Sequence, residues 1–338
     1  DLIAAAQRLN IAKRVVILAG GGARGQETAL RALAEKLDAP VVETVNARGM
    51  MHRHMLCVPA SPSLTATRAL IESADQILAI GTEFGPTDYD MYVRGGFPDV
   101  SAMIRIDRSP EQLGRHKTAL PLCGDAAATI AALLPLLAAK TGDGADRAER
   151  TRTAARAELA ELDVLMPKRL EMVETIRSAM PGCLIVGDST QPVYAANLYY
   201  DHNRPGGWFN AATGFGALGF GPGAAVGAAL AAPGTPVVCL IGDGGLQFSP
   251  GELRTAVDEN LPITFLVWNN AAFNEIADAM RGANTEIIGC SPSPLRMEPF
   301  AAACDLPFTS CPMEAEVLHW ALRQPCDGPR LIEIRVRE

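Results

Sequence analysis

A carboxylate and a carboxamide stand where chemistry could be done. Gly242-Asp243-Gly244 closes one apolar run and Asn269-Asn270 closes the next. Between them Ser249-Pro250-Gly251-Glu252 opens a helical stretch to Asn260, and Leu261-Pro262 leads into the run ITFLVW. Ser249 with Glu252 three residues on reads as a capping box, and Pro250 takes the favoured first helical position. The segment is therefore strand, helix, strand. A right-handed crossover sets the two strands parallel, so their carboxyl ends share one edge of the sheet. Ligands bind at that edge in open α/β sheets. A carboxylate and an amide carbonyl beside glycine-rich backbone suit an octahedral Mg²⁺ that is also held by phosphate oxygens. The structural alternative is an ordinary βαβ unit with a polar turn at each strand end.

This spacing resembles the metal motif of the thiamine diphosphate (ThDP) enzymes. The resemblance implies that Asp243, Asn270 and the main-chain carbonyl of Ala272 ligate the metal, with Gly244 and Gly245 against the cofactor. Relatives often carry Gly at the last ligand position, and Ala restricts the backbone there. Thr213-Gly214-Phe215-Gly216-Ala217-Leu218-Gly219-Phe220-Gly221 then leads into a small-residue helix. It is similar to the acetolactate-synthase segment in which a bulky apolar residue wedges under the cofactor and bends it. Here that residue would be Leu218, with Gly216 of the same turn also against the cofactor. Glycine-rich helix entry for close packing is the competing account.

A third patch follows the apolar run Cys183 to Val186, in Gly187-Asp188-Ser189-Thr190-Gln191. Ser189, Thr190 and Gln191 are candidates for the cofactor's terminal phosphate. Alternatively, Asp188 and Ser189 cap the helix that follows.

The elements that must position these residues read as α/β: two doubly wound parallel-sheet domains. In the first, strands are expected at Arg14–Gly20, Pro40–Val45, Gln76–Gly81 and Ala102–Asp107. Helices are expected at Gln26–Leu37, Thr65–Ala74 and Ala126–Lys140. Apolar strands with little alternation, separated by helices, imply a sheet covered on both faces. Residues 1–140 form this Rossmann-like domain, 141–165 a linker with a solvated helix, and 166–338 the diphosphate- and metal-binding domain.

The 338 residues are 48% apolar and 20% charged, enough for two cores. A formal charge of −8 argues against a nucleic-acid surface. No apolar run reaches the ~18 residues of a membrane span. Eight scattered cysteines without a CxxC pair read as buried thiols of a reducing cytoplasm. The chain opens inside a helical pattern, as if cut from something longer. Trp208, Trp268 and Trp320 read as core.

Gly20 to Gly25 satisfies GxGxxG after a strand, with Glu43 near the end of the next. That leaves an NAD- or FAD-binding oxidoreductase module as an alternative function. The family resemblance instead implies a middle domain that holds FAD in some members and nothing in others. Glu83, where FAD-binding relatives carry Arg, opposes a diphosphate. His52 and His54 are a chelating pair or a solvated loop. Glu275 touches substrate or serves as a first-turn helix acid, and Arg281 meets a substrate carboxylate or solvent.

The resemblance covers essentially the whole chain and is nearest to acetolactate synthases and 2-oxo acid decarboxylases such as 5-guanidino-2-oxopentanoate decarboxylase. It implies a lyase or transferase in which a 2-oxo acid loses CO₂ and the resulting carbanion is protonated or added to a second carbonyl. In these enzymes the cofactor is activated by a Glu on a separate pyrimidine-binding domain, contributed by a neighbouring subunit. The expected form is therefore a fragment, inactive alone, of a homodimer or homotetramer. A non-catalytic homologue is the remaining alternative.

Overall fold

The computed structural model describes residues 1–90 and 96–336. Arg337 and Glu338, the end of the expected second domain, lie outside the described residues. The chain divides into two compact units, one of residues 1–167 with 197–206, the other of 168–196 with 207–338.

The first unit holds a six-stranded parallel sheet: β1 (Val15–Ala19), β2 (Val41–Glu43), β3 (Cys57–Val58), β4 (Gln76–Ile80), β5 (Ile104–Asp107) and β6 (Leu120–Cys123). Its order is β3-β2-β1-β4-β5-β6. Every residue of β1 and β4 is buried, because helices cover both faces. The helix Glu27–Leu37 buries Leu30, Leu33, Ala34 and Leu37, one stripe at helical spacing. Each Leu gains roughly 1.5–3 kcal/mol from leaving water. β3 and β6 escape sequence reading, being short and, in β6, half exposed.

Residues 141–165 carry a helix, Gly144–Leu162, whose inner face of Arg147, Ala148, Thr151, Ala155 and Leu159 is buried. Small alanines let it lie close, and Arg147 donates to the carbonyls of Val15 and Asp38. This stretch, expected to be a solvated linker, packs as part of the first unit. Among the described residues no helix is long and apolar enough to cross a membrane.

The second unit holds β7 (Leu184–Gly187), β8 (Trp208–Asn210), β9 (Val237–Gly242), β10 (Ile263–Asn269), β11 (Phe308–Pro312) and β12 (Arg330–Arg335). All pair in parallel, in the order β11-β12-β10-β9-β7-β8. From β7 the chain passes to β8 on one side; from β9 it passes to β10 on the other. The switch point of this sheet therefore lies between β7 and β9, and the crevice at their carboxyl ends is where a ligand belongs.

Candidate cofactor site

Three strand tips meet at that crevice. Gly187 lies opposite Leu240, and Gly242 opposite Trp268, so Asp243 and Asn270 leave adjacent tips at the same sheet edge. The two asparagines then do different work. Asn269 donates to Glu333 Oε1 at 2.6 Å and accepts the Ala271 N–H at 3.1 Å, which spends it on the turn. Asn270 Oδ1 accepts the Ala272 N–H at 3.2 Å, and its Nδ2 donates to Gln191 Oε1 at 3.2 Å. The turn's left-handed residue is Ala271, with φ 54°, not Ala272. Ala272 therefore sits in a backbone conformation open to alanine.

Gln191 is the key to the polar wall. Its Oε1 also accepts from Trp268 Nε1 at 2.9 Å. An indole nitrogen only donates, so the amide's orientation is fixed. Its Nε2 is buried without a partner among the described residues. Leaving such a donor unmet costs roughly 1–3 kcal/mol unless a ligand oxygen supplies the acceptor.

Asp188 is fully buried and accepts the N–H groups of Ser189 and Gly221, both at 2.8 Å. It thus ties the β7 tip to the start of the helix Phe220–Ala231, across the crevice, instead of capping its own following helix. Burial raises its carboxyl above the ordinary value, against backbone N–H groups that lower it. The capping box at Ser249 is not formed. The Ser249 hydroxyl donates to the Gly219 carbonyl at 2.8 Å, and the helix starts at Gly251 with Pro250 as its cap residue. The glycine turn needed that hydroxyl more than the helix did. Gly219 has φ +82°, and a Cβ there would lie 2.6 Å from Phe248 Cβ.

The result is a cavity of about 320 Å³, within the range of small-molecule sites. Ser189, Thr190, Gln191, Gly216, Leu218, Asp243, Gly244, Gly245, Asn270, Ala272 and Glu275 all line it. The sequence-predicted site residues are brought together in one cleft. Asp243 is 3% exposed; burial raises its carboxyl, while the backbone N–H groups of Asn270, Asp243 itself and Gly244 lower it. A Cβ on Gly244 would meet the Phe273 ring at 2.4 Å, so only glycine admits the ring that roofs this edge. A carboxylate, an amide oxygen and a carbonyl can hold a hard cation, and the unmet Gln191 amide suits an anionic oxygen.

Two models of the same enzyme family match this chain. Residues 2–133 match the thiamine pyrophosphate enzyme central domain and residues 188–334 the C-terminal TPP binding domain. The chain belongs to the thiamine pyrophosphate enzymes. It is 37% identical over 298 residues to the "Probable 2-ketoarginine decarboxylase AruI" of Pseudomonas aeruginosa, covering 86% of this chain and 52% of that protein. It is 27% identical over 348 residues to acetolactate synthase isozyme 1 large subunit of Escherichia coli, covering 98% and 60%. With an acetolactate synthase of Mycobacterium bovis the identity is 30% over 285 residues, covering 79% and 45%. The chain thus spans about half the length of these curated relatives.

Membership in this family does not favour an oxidoreductase built on Gly20–Gly25, and the loop's geometry shows what most of its amides do. Gly20, Gly22, Ala23 and Arg24 donate their N–H groups to the carbonyls of Ile80, Gly81, Gly20 and Gly21. The Gly25 N–H goes to Glu27 Oε1. A Cβ on Gly20 would lie 2.2 Å from the Gly81 carbonyl oxygen. Gly20 and Gly22 serve close packing of two strand-end loops, and the N–H groups of Gly20, Gly22, Ala23, Arg24 and Gly25 are committed within them. Glu43 is fully buried, accepting from the Met51 amide and the Cys57 thiol. His52 and His54 bond Asp201 and Glu35 separately, at 2.8 and 3.0 Å.

Phe273, Asn274 and Ile276, in the segment that the resemblance sets along the substrate pocket, also line this cleft, and sequence reading missed Tyr194. Tyr194 follows Gln191 by three residues on one helix, Gln191–Leu198, and that spacing was available as a signal. Trp320, read as core, is 60% exposed.

Proposed function

We propose that this chain supplies the diphosphate- and metal-binding part of a ThDP- and Mg²⁺-dependent enzyme that decarboxylates a 2-oxo acid or joins it to a second carbonyl. The observation that carries the reading is the shared cleft of Asp243, Asn270 and the unmet amide of Gln191. The Asp243 carboxylate, Asn270 Oδ1 and the Ala272 carbonyl would hold Mg²⁺. Asn270 Oδ1 uses one lone pair on the Ala272 N–H and keeps another for the ion. Gln191 Nε2 and the hydroxyls of Ser189 and Thr190 would donate to phosphate oxygens. When bound, the cofactor supplies the electron sink for the carbon that loses CO₂. Leu218 and Phe273 give the cleft apolar walls that exclude water around it. The relatives' names, a 2-ketoarginine decarboxylase and acetolactate synthases, support a 2-oxo acid as substrate.

Calorimetric titration of the full-length protein with ThDP and Mg²⁺ tests this. Asp243→Ala is expected to weaken retention by roughly 100-fold or more, beyond the 10–100-fold typical of outer-shell partners. Unchanged affinity in that variant would remove Asp243 from the site. Failure of the wild type to bind the pair at all would favour a non-catalytic homologue.

A further inference from the structure

Glu333 is a buried carboxylate within β12, a strand that supplies no wall of the cleft. It pairs with Val267 of β10 and Ser310 of β11. Residues two apart on a strand share a face, so Asn269 at the β10 tip comes within its reach. Each carboxylate oxygen takes one donor: Oε1 the Asn269 amide and Oε2 the Ser310 hydroxyl, both at 2.6 Å. An ionised carboxylate only accepts, so the Asn269 nitrogen must face Glu333 and its oxygen the Ala271 N–H, 3.1 Å away. That contact holds Ala271 at φ 54°, a left-handed conformation that alanine rarely adopts. The Asn269 backbone is fixed separately, its carbonyl accepting the Val336 N–H at 2.9 Å. What Glu333 governs is therefore the stretch beyond, Asn270 to Ala272.

That stretch carries the amide oxygen and the carbonyl assigned to Mg²⁺ in the function proposed above, on which this inference rests. Were the Asn269 amide released to turn, the Ala271 N–H would lose its acceptor. The backbone would then relax toward the right-handed region and carry both oxygens away from Asp243. Mg²⁺ demands near-ideal octahedral geometry, whereas Ca²⁺ accepts a looser and more variable shell of oxygens. We propose that Glu333 is a positioning residue of the metal site, acting through Asn269 to keep the ligand turn rigid enough for Mg²⁺. Its charge is a separate influence, felt at Asp243, whose carboxyl it raises after burial has done so.

The test measures ThDP binding to the full-length protein by calorimetry, with saturating Mg²⁺ and separately with saturating Ca²⁺. Glu333→Ala is expected to weaken binding roughly 30-fold with Mg²⁺ but only about 3-fold with Ca²⁺, as loss of a partner behind the metal ligands would. Glu333→Gln removes the charge and keeps an oxygen for Asn269, so it should restore most of the Mg²⁺-dependent binding. Ala271→Gly added to Glu333→Ala should recover part of it, because glycine takes the left-handed conformation without strain. Equal losses with the two ions, a Gln variant as weak as the Ala one, or no recovery with Ala271→Gly overturns the proposal. Hydrogen exchange of the metal-free protein separates the two layers. If wild type binds ThDP with neither ion, the cofactor reading fails and exchange judges Glu333 by itself. Faster exchange over residues 269–272 in Glu333→Ala, with β9 unaffected and Glu333→Gln close to wild type, keeps Glu333 as the residue that fixes the turn. Exchange there unchanged by either variant removes it from that role, whatever the cofactor does.

Discussion

At the scale of single residues, the site is defined by what each atom has left to give. Asn269 and Asn270 are identical in chemistry, yet Glu333 and the turn consume the first. Gln191 holds Trp268 and Asn270 with its oxygen, and its nitrogen meets no partner among the described residues. Gly244 matters for the opposite reason, since it offers only space. A methyl there would stand 2.4 Å from Phe273 Cε1, and overpacking of that kind costs roughly 1–3 kcal/mol. Gly244→Ala is therefore expected to push the Phe273 ring into the cleft and weaken ThDP retention about tenfold, a shift of ~1.4 kcal/mol. Adding Phe273→Ala should recover part of the loss, because the clash then has no second partner. Calorimetry on the single and double variants checks both halves. A Gly244→Ala protein that binds as well as wild type would show that the ring swings outward instead.

At the scale of elements, a carboxylate on one strand tip holds the glycine-rich turn of another. Asp188 accepts from Gly221 across the crevice, in a fully buried setting. Removing it strands buried N–H groups at a helix start, so Asp188→Ala is expected to destabilise the second unit by roughly 2–3 kcal/mol. Asp188→Asn, which keeps an acceptor, should cost less. Denaturant unfolding followed by tryptophan fluorescence reads this unit alone, because Trp208, Trp268 and Trp320 all lie in it. The strand–helix–strand around Asp243 and Asn270 was legible because glycine, proline and paired asparagines punctuate long apolar runs there. The duties of Asp188 and Ser249 were not. Both carry the residue type of a local helix cap, and both spend their bonds on glycine turns some 30 residues away, at Gly221 and Gly219. Local spacing holds no record of such a choice. The short strands β3, β6 and β8 were illegible for another reason: they have too few residues to show any period.

At the scale of the whole molecule, two parallel sheets with opposite-facing crossovers each create a crevice, and the residues proposed to hold ThDP and a metal gather at the second. The apolar strands announced both sheets. The first unit's glycine loop announced a nucleotide as well, because close backbone approach and phosphate cradling demand the same residue. What separates the two uses is where the amides point, which is a tertiary fact. The first unit uses Glu43 in the same inward way. Burial and the nearby Asp201 charge raise its carboxyl from 4.5 to about 7, against the Met51 amide, Arg48 and Cys57. A carboxyl held more tightly protonated in the fold stabilises it fully below its unfolded pKa, and that contribution is lost as pH rises through the folded value. Between pH 4.5 and about 7 the first unit should therefore lose on the order of 3 kcal/mol from this group. Glu43→Gln, which stays neutral, should remove that slope, so that the variant gains on wild type as pH rises across the window. Amide hydrogen exchange of β1 and β2 at several pH values isolates the effect, since the tryptophans report the other unit. Parallel pH dependence in wild type and variant would mean that Glu43 is as readily ionised in the fold as in the open chain.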